Sequence, residues 1–573
     1  MFPHPTHDCA PVKWHPQIQG ADKDRSSPSV RPPQAELRIF VRRSFQGLFS
    51  RENESEKRLD SSQSIGDHGA DTDLRRSLST RHLTMIALGS SIGMGLWLGS
   101  GTSLRNGGPA AIFIGYILAG TMTWAVSHAI GEMAVLYPLP SAFVQWASIF
   151  ISPSVGFAVG YAYVFASLIS IANELQGVVT VLNFWTDYVP TAAWITIFWL
   201  VIILINVCAV KFFGEVEVIS STIKFTWIFV VIISLIVVSA GGAPDEDPIG
   251  FRYWNAEPFT NGFKGFLSAM PTCIFAMSGS ENSALVAAET QNPRKSVPRA
   301  VGSIWLRLSL FYILGSLAIT ITVSPHDSDL FGGEGNSSSP FVVAYQKAGL
   351  PVLAHMMNAV IFISIISTGS ISGYGGSRTL MGLSHLNMAP KIFGRADDTG
   401  RPFAGLFVVL LVGGGLSYLN VSSSGSDVFS WFSNLTSLFT LFGWGSICLS
   451  HLRMRHAWKT QGRAESDLPW RTWTYPYASC WGLFWCVLLI VVEFYLSVWP
   501  LHTSPSARDF FANYVSVIVI LVVYLGARCW YRGSWWVDAA TIDLDGPRRF
   551  YAMDEEEGKS RSVLSRAVGW VFK

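Results

Sequence analysis

Charge is what this sequence has least of. Only 14 % of its 573 residues are Asp, Glu, Lys or Arg, against roughly 25 % in ordinary soluble chains, whereas residues AVILMFWYC make up 50 %. The charges are also crowded toward the ends: 24 of the 80 fall in residues 1–82 and 14 in residues 531–573, leaving 42 for the 448 between. A stretch that long and that poor in charge cannot form a soluble surface, so the bulk of the chain is expected in a membrane. Net charge is only +2, and no basic stripe interleaved with aromatics occurs, which argues against a nucleic-acid partner. The seven cysteines are scattered, mostly in apolar runs, with no CxxC pair, so neither a disulfide framework nor a metal site is expected. HExxH, a nucleophile elbow and a phosphate-cradling glycine loop are all missing, and the carboxylates are too dispersed for acid–base catalysis; no enzyme is expected. The first residues, MFPHPTHDCAP, lack the basic-then-apolar layout of a cleaved signal peptide, which leaves insertion to the first true span.

What is present is a series of apolar stretches of about 20 residues, each long enough to cross ~30 Å of hydrocarbon as a helix. Twelve are expected, at about 83–104, 108–130, 156–185, 193–211, 219–240, 264–289, 300–324, 351–383, 403–420, 428–452, 478–500 and 511–531. The fold class is therefore an all-α integral membrane protein. Residues 1–82 read as a polar, disordered tail, 83–531 as a twelve-helix domain and 532–573 as a second tail. Within the first tail, LRIFVRRSFQGLF (37–49) is basic and apolar at near-helical spacing, suited to an anionic membrane surface or simply part of a floppy segment. Loops on the tail side carry twelve Lys and Arg and the opposite loops five, which places both termini in the cytoplasm. The Asn336-Ser337-Ser338 sequon falls on the opposite side, in agreement.

Two spans are interrupted in matching ways, by Gly89-Ser90-Ser91-Ile92-Gly93-Met94-Gly95 in the first and Ser278-Gly279-Ser280-Glu281 in the sixth. Clustered Gly and Ser weaken a helix and leave backbone groups unpaired, which a membrane tolerates only where that backbone lines a cavity. Close helix packing is the alternative. The two interruptions open successive sets of five spans, the layout of a transporter with inverted repeats and a site between broken helices. Ionisable residues deep in a span are costly and functional by default: Glu174 in the third, Lys224 in the fifth and Glu281 after the second break. A Glu174–Lys224 contact would keep both charged or let them share a proton, or else form a fixed structural pair. Glu132 and His128, at the inner end of the second span, read as interfacial anchors.

At these residues the chain resembles the fungal (yeast-type) amino acid permeases of the amino acid–polyamine–organocation superfamily. The resemblance runs from about Arg75 to Arg549. It is carried by HLTMIALGSSIGMGLWLGSG (82–101), GGPA (107–110), GEMAVLYP (131–138), GFRYW (250–254), ETQNPRKSVPRA (289–300), SRTL (377–380), APKIFGRADDTGRP (389–402), GWGSICLSHLRMRHAW (443–458) and DLDGPRR (543–549). It implies twelve helices, ten of them in two inverted five-helix repeats, and import of amino acids with protons at the plasma membrane. By the same resemblance, the substrate carboxylate faces the amides of Gly93, Met94 and Gly95, and its ammonium faces carbonyls of Ser91, Phe275 and Ser278. Phe275 resembles the aromatic gate over the substrate, Gly279 and Glu281 the second break, Lys224 the lysine standing at a cation site of sodium-coupled relatives, and Glu174 its carboxylate partner. Departures surround the implied pocket: Met94 replaces the usual Thr, Ser370 an Asn, Ala172-Asn173-Glu174 a Pro-Leu-Glu type run, and Gly160-Tyr161-Ala162-Tyr163-Val164 the GWNYW stretch. Met94 is expected to bias substrate preference unless it faces a neighbouring helix.

The expectation is thus secondary active, proton-coupled uptake of an amino acid by alternating access, with no cofactor beyond the proton gradient. Its partners are the amino acid, protons, membrane lipid and cytoplasmic regulators acting on the tails. A polyamine or choline-like substrate is the neighbouring alternative, and a non-transporting amino acid sensor signalling through tails such as the acidic run 554–557 is the other.

Overall fold

The computed structural model describes residues 78–549 except 187, 245–246, 291, 332–337, 398, 422–424, 502–503 and 533. The basic segment 37–49, Asn336 and Ser337 of the sequon, and the acidic run 554–557 lie outside the described residues. Within them the chain is helical, with two isolated β-bridges, Leu78–Thr290 and Leu330–Ser338, and no β-strand.

The first apolar stretch forms α1 (Thr80–Gly89), α2 (Met94–Trp97) and α3 (Gly99–Gly107), with a bend of 54° between Thr80–Trp97 and Gly99–Gly107. There follow α4 (Pro109–Leu136), α5 (Ala142–Phe150), α6 (Pro153–Asn183), α7 (Thr191–Val207), α8 (Val210–Ser239) and the short α9 (Arg252–Ala256). The second interrupted stretch gives α10 (Gly262–Met277) and α11 (Asn282–Ala287), then α12 (Pro293–Thr320), α13 (Pro340–Lys347) and α14 (Pro351–His385). The last are α15 (Phe403–Leu416), α16 (Gly425–Thr460), α17 (Tyr477–Val498) and α18 (Ala507–Tyr531). Proline opens α4, α6, α12, α13 and α14, where its missing N–H costs no helical bond. Serine caps other starts: Ser79 closes a capping box with His82 on α1, and Ser152 Oγ accepts from Val155 N on α6.

Among the described residues, nine helices are long and apolar enough to cross a membrane, or ten if the bent first pair is one span; α7, at 17 residues, is shorter. Their outer faces carry large apolar side chains such as Leu204, Ile233 and Val522, each more than 60 % exposed, a surface suited to lipid and not to water. This is an integral membrane protein. α6 lies at its centre, packed by α14, α15, α16 and α18, and α3 lies along α10, which brings the two interrupted segments together.

The segment after α18 folds back onto the body. Val537 N donates to Ile151 O, Arg549 N to Leu136 O and Tyr137 OH to Leu544 O, at 2.9–3.0 Å. Gln461 donates to the carbonyls of Ala539 and Ile542, and Arg463 makes a two-point pair with Asp545 at 2.5–2.6 Å. Ile542 and Leu544 are buried. Residues 534–549 thus strap together the end of α4, the region of α5 and the end of α16. The Arg463 guanidinium, hydrogen-bonded to Asp545, holds that carboxyl below the usual carboxylate range. This tie is therefore complete above about pH 4 and is lost as pH falls further. Truncating Leu544 to Ala should cost about 2 kcal/mol or more of stability and expose the strap to protease. Thermal unfolding and limited proteolysis in detergent check it; unchanged values would mean that the strap does not hold the fold.

Candidate functional site

Helix α1 stops at Gly89 and helix α10 at Met277, and the two stops face each other. Ser90 Oγ donates to Gly279 O at 3.1 Å across the gap. Tyr312 OH, from α12, lies 2.7 Å from Ala276 O and 3.1 Å from Ser91 O, touching both breaks at once. Gly279 has φ +91°, a conformation that favours glycine. The carboxylate of Glu281 holds that turn, accepting from Gly279 N at 3.1 Å and from Trp444 Nε1 at 3.0 Å. The carbonyl of Ile92 is taken by Ser364 and Thr368 of α14 at 2.6 and 3.1 Å. The unpaired backbone of both breaks is therefore satisfied mainly by side chains from elsewhere, as a low dielectric requires.

Two buried cations sit at the carbonyl end of α1, where a helix dipole favours positive charge. Lys224 Nζ donates to Gly89 O at 3.1 Å and to Ser367 Oγ at 3.0 Å, and Ser367 donates to Glu217 Oε2 at 2.7 Å. Arg307 donates to Ala87 O at 2.6 Å and to Ser280 Oγ at 2.7 Å. Arg307 is followed at once by a π-helical stretch, Leu308–Leu314, inside α12. Glu174, by contrast, faces the start of α2, with its two carboxylate oxygens 3.1 and 3.3 Å from Met94 N. A Cβ on Gly93 would lie 2.5 Å from Glu174 Oε1, so only glycine there admits this contact.

Several expectations change. No ion pair joins Glu174 to Lys224: the lysine's acidic neighbour is Glu217, reached through Ser367. The Met94 amide, expected free for substrate, is engaged by Glu174. The Met94 side chain is fully buried and fits over Gly177 instead of lining the cavity, and Ser370 Oγ turns back to Ile366 O. The carbonyls of Ser91 and Phe275 already accept protein hydroxyls. Glu132 is no interfacial anchor: it is fully buried, accepts from Thr472 N at 2.9 Å and lies 3.2 Å from Arg455 Nε.

The breaks enclose a cavity of about 40 Å³. It is lined by Ser91, Gly93, Gly95, Glu174, Phe275, Ser278, Gly279 and Glu281 from the expected set, with Lys224, Met94 and Ser370 outside it. Tyr163, from the departing stretch 160–164, also lines it, and Ser167, Asn282, Thr368 and Thr440 are among the wall residues not foreseen. Tyr163 OH donates to Asn282 Oδ1 at 2.7 Å beneath the second break. Phe275 closes the cavity from one side, in edge contact with Phe429, which meets Phe331 in turn. The space is far below the ~300 Å³ of ordinary small-molecule pockets, so a ligand enters only after helices or side chains shift. Among the described residues, no group of His, Cys, Asp or Glu could hold a metal ion.

Residues missed in the sequence carried signals of two kinds. Arg307 stands in the apolar run SIWLRLSLFYILG, so the rule that picked Glu174 and Lys224 applies to it equally. Glu217 lies seven residues before Lys224, two turns along one helix face, but at the edge of its span. Asn282 and Thr368 look like ordinary helix residues, and only the packing of α6, α11 and α14 brings them to Tyr163 and the cavity.

Comparison with known proteins identifies the family to which the chain belongs. The general amino-acid permease GAP2 of Candida albicans is 40 % identical over 502 residues, covering 87 % of this chain and 85 % of its own. The cationic amino acid transporter 1 of Schizosaccharomyces pombe is 39 % identical over 503 residues, covering 86 % and 85 %. The general amino-acid permease GAP1 of Saccharomyces cerevisiae is 36 % identical over 515 residues, covering 87 % and 85 %. With residues 82–538 also matching the family profile described as "Amino acid permease", this chain belongs to the amino acid permease family and is a transporter, not an enzyme.

Proposed function

We propose that the protein is a proton-coupled amino acid permease of the plasma membrane working by alternating access. The observation that carries this reading is the carboxylate of Glu174 on the Met94 amide, at the start of α2 beside the cavity. An amino acid substrate brings a second carboxylate to the Gly93–Gly95 amides. Two carboxylates sharing one set of donors hold a proton between them, because both cannot stay ionised at that spacing in a low dielectric. Substrate and proton therefore arrive and leave together. Lys224, with Ser367 and Glu217, reports the position of α1 to this equilibrium through the Gly89 carbonyl, at the other end of the same break. The substrate ammonium takes the remaining carbonyl capacity at Ser91, Phe275 and Ser278, with Glu281 holding the second break. Met94 acts through its backbone, and Ser370 through packing of α14.

The architecture suited to this cycle is twelve spanning helices, ten in two inverted five-helix repeats, with α1–α3 and α10–α11 as equivalent broken spans. Residues 78–549, the strap 534–549 included, form the transporter body, and the remaining terminal segments lie in the cytoplasm, available to regulators. The edge-to-face cluster of Phe275, Phe429 and Phe331 closes one route to the cavity, and the Tyr163–Asn282 contact and the buried Arg378–Glu289 pair (2.9 Å) close the other.

Reconstituted vesicles should accumulate labelled amino acid against its gradient when a proton gradient is imposed, and much less without one. Glu174→Gln, which mimics the protonated acid, should keep exchange of amino acid but lose this pH drive, and Lys224→Ala should bind substrate without acceleration by acid. Uphill uptake by Glu174→Gln equal to that of the unaltered protein would remove Glu174 from the coupling.

Gly279→Ala and Glu281→Gln should insert normally yet transport at least tenfold more slowly, a barrier rise of about 1.4 kcal/mol. The first forces a side chain into a left-handed turn, and the second puts an amide N–H against one of two donors. Surface labelling together with uptake rate reads both. Unimpaired transport by either would mean that the second break is only a packing feature.

A further inference from the structure

A second polar cavity, of about 150 Å³, lies between α3, α10, α16, α17 and α18. Its wall includes Glu493 of α17, a carboxylate inside a membrane-spanning helix that is 4 % exposed and has no hydrogen bond or ion pair to any described residue. We propose that this cavity is a second binding site, which takes a small organic cation through its ammonium or guanidinium group.

The chemistry of the wall selects the ligand. An uncompensated carboxylate in a low dielectric is costly, and a cation is what compensates it. Ser497, one turn beyond Glu493 on the same face, has a buried hydroxyl with no partner, ready to accept from the same ligand. Asn434 and Asn513 add carboxamides, joined to each other at 2.7 Å. Among the described residues no cationic side chain lines the cavity: the nearby Lys264 directs its Nζ to Pro500 O at 3.0 Å. An anion is therefore repelled. A bare metal ion would be lost in a space this size, whereas a multi-donor organic cation can span from Glu493 to Ser497 and the carboxamides.

The position gives the site meaning. Thr272 lines this cavity, and both Thr272 and Phe429 abut Gly99 of α3. Phe429 is the ring that meets Phe275 over the central cavity. One layer of side chains therefore separates the two spaces, and occupancy of the second bears on the closure of the first.

The test uses the purified full-length protein in lipid nanodiscs, titrated with methylguanidinium or methylammonium chloride at constant ionic strength while thermal unfolding is followed. Neither probe has a carboxylate, so neither satisfies the amides of the central site. A saturable rise in melting temperature is expected, with at least tenfold weaker apparent affinity in Glu493→Gln, partial retention in Glu493→Asp and an unchanged response in Gly279→Ala. Ser497→Ala should fold and weaken binding severalfold, which decides the matter if Glu493→Gln does not fold. Equal responses in wild type and Glu493→Gln, no loss in Ser497→Ala, or a rise matched by sodium chloride alone would overturn the proposal.

Discussion

Backbone hydrogen bonding in a medium without water is the constraint on which this structure turns. Two helices stop inside the protein, and each stop strands carbonyls and amides that lipid cannot satisfy. The molecule answers with Tyr312, Thr368, Ser364, Lys224 and Arg307 around the first break, and with Glu281, Trp444 and Ser90 around the second. Several of these groups come from α8, α12, α14 and α16, so the packing of the whole bundle is committed to keeping two short stretches of chain out of helix. The cavity is the by-product of that commitment.

The same accounting explains where charge appears. Both buried cations nearest the breaks act on the carbonyl end of α1, and the carboxylate of Glu174 acts on the amide end of α2. Each therefore has the sign that the local helix dipole favours. Charge in this interior is placed by backbone direction before it is placed by pairing, which is why Glu174 and Lys224 sit at opposite ends of the break and not against each other.

Much of this was legible in the sequence, for identifiable reasons. Long apolar runs announce membrane helices through length alone, and the Gly-Ser clusters at 89–95 and 278–281 announce the breaks through their effect on helix stability. Helix direction and rotation are not written so plainly. That Met94 turns to Gly177 and Ser370 to its own helix depends on how α2, α6 and α14 are rotated about their axes. An even hydropathy all round such buried helices gives no clue to that rotation. The strap 534–549 was hidden for another reason: a polar segment with a few apolar residues reads as tail until Tyr137, Gln461 and Arg463 are seen to receive it.

The π-helical stretch in α12 has a consequence for how this helix can vary. Arg307 and Tyr312 are five residues apart, and in an α-helix, at about 100° per residue, that spacing points them in directions some 140° apart. The wider turn of Leu308–Leu314 brings both to the same side, one beneath Ala87 and Ser280, the other between Ser91 and Ala276. Chain length between these two residues is thus a functional quantity. Five residues wound as they are here, or four in a regular α-helix at about 40°, keep the pair on one side, whereas five in a regular α-helix could reach one break or the other but not both.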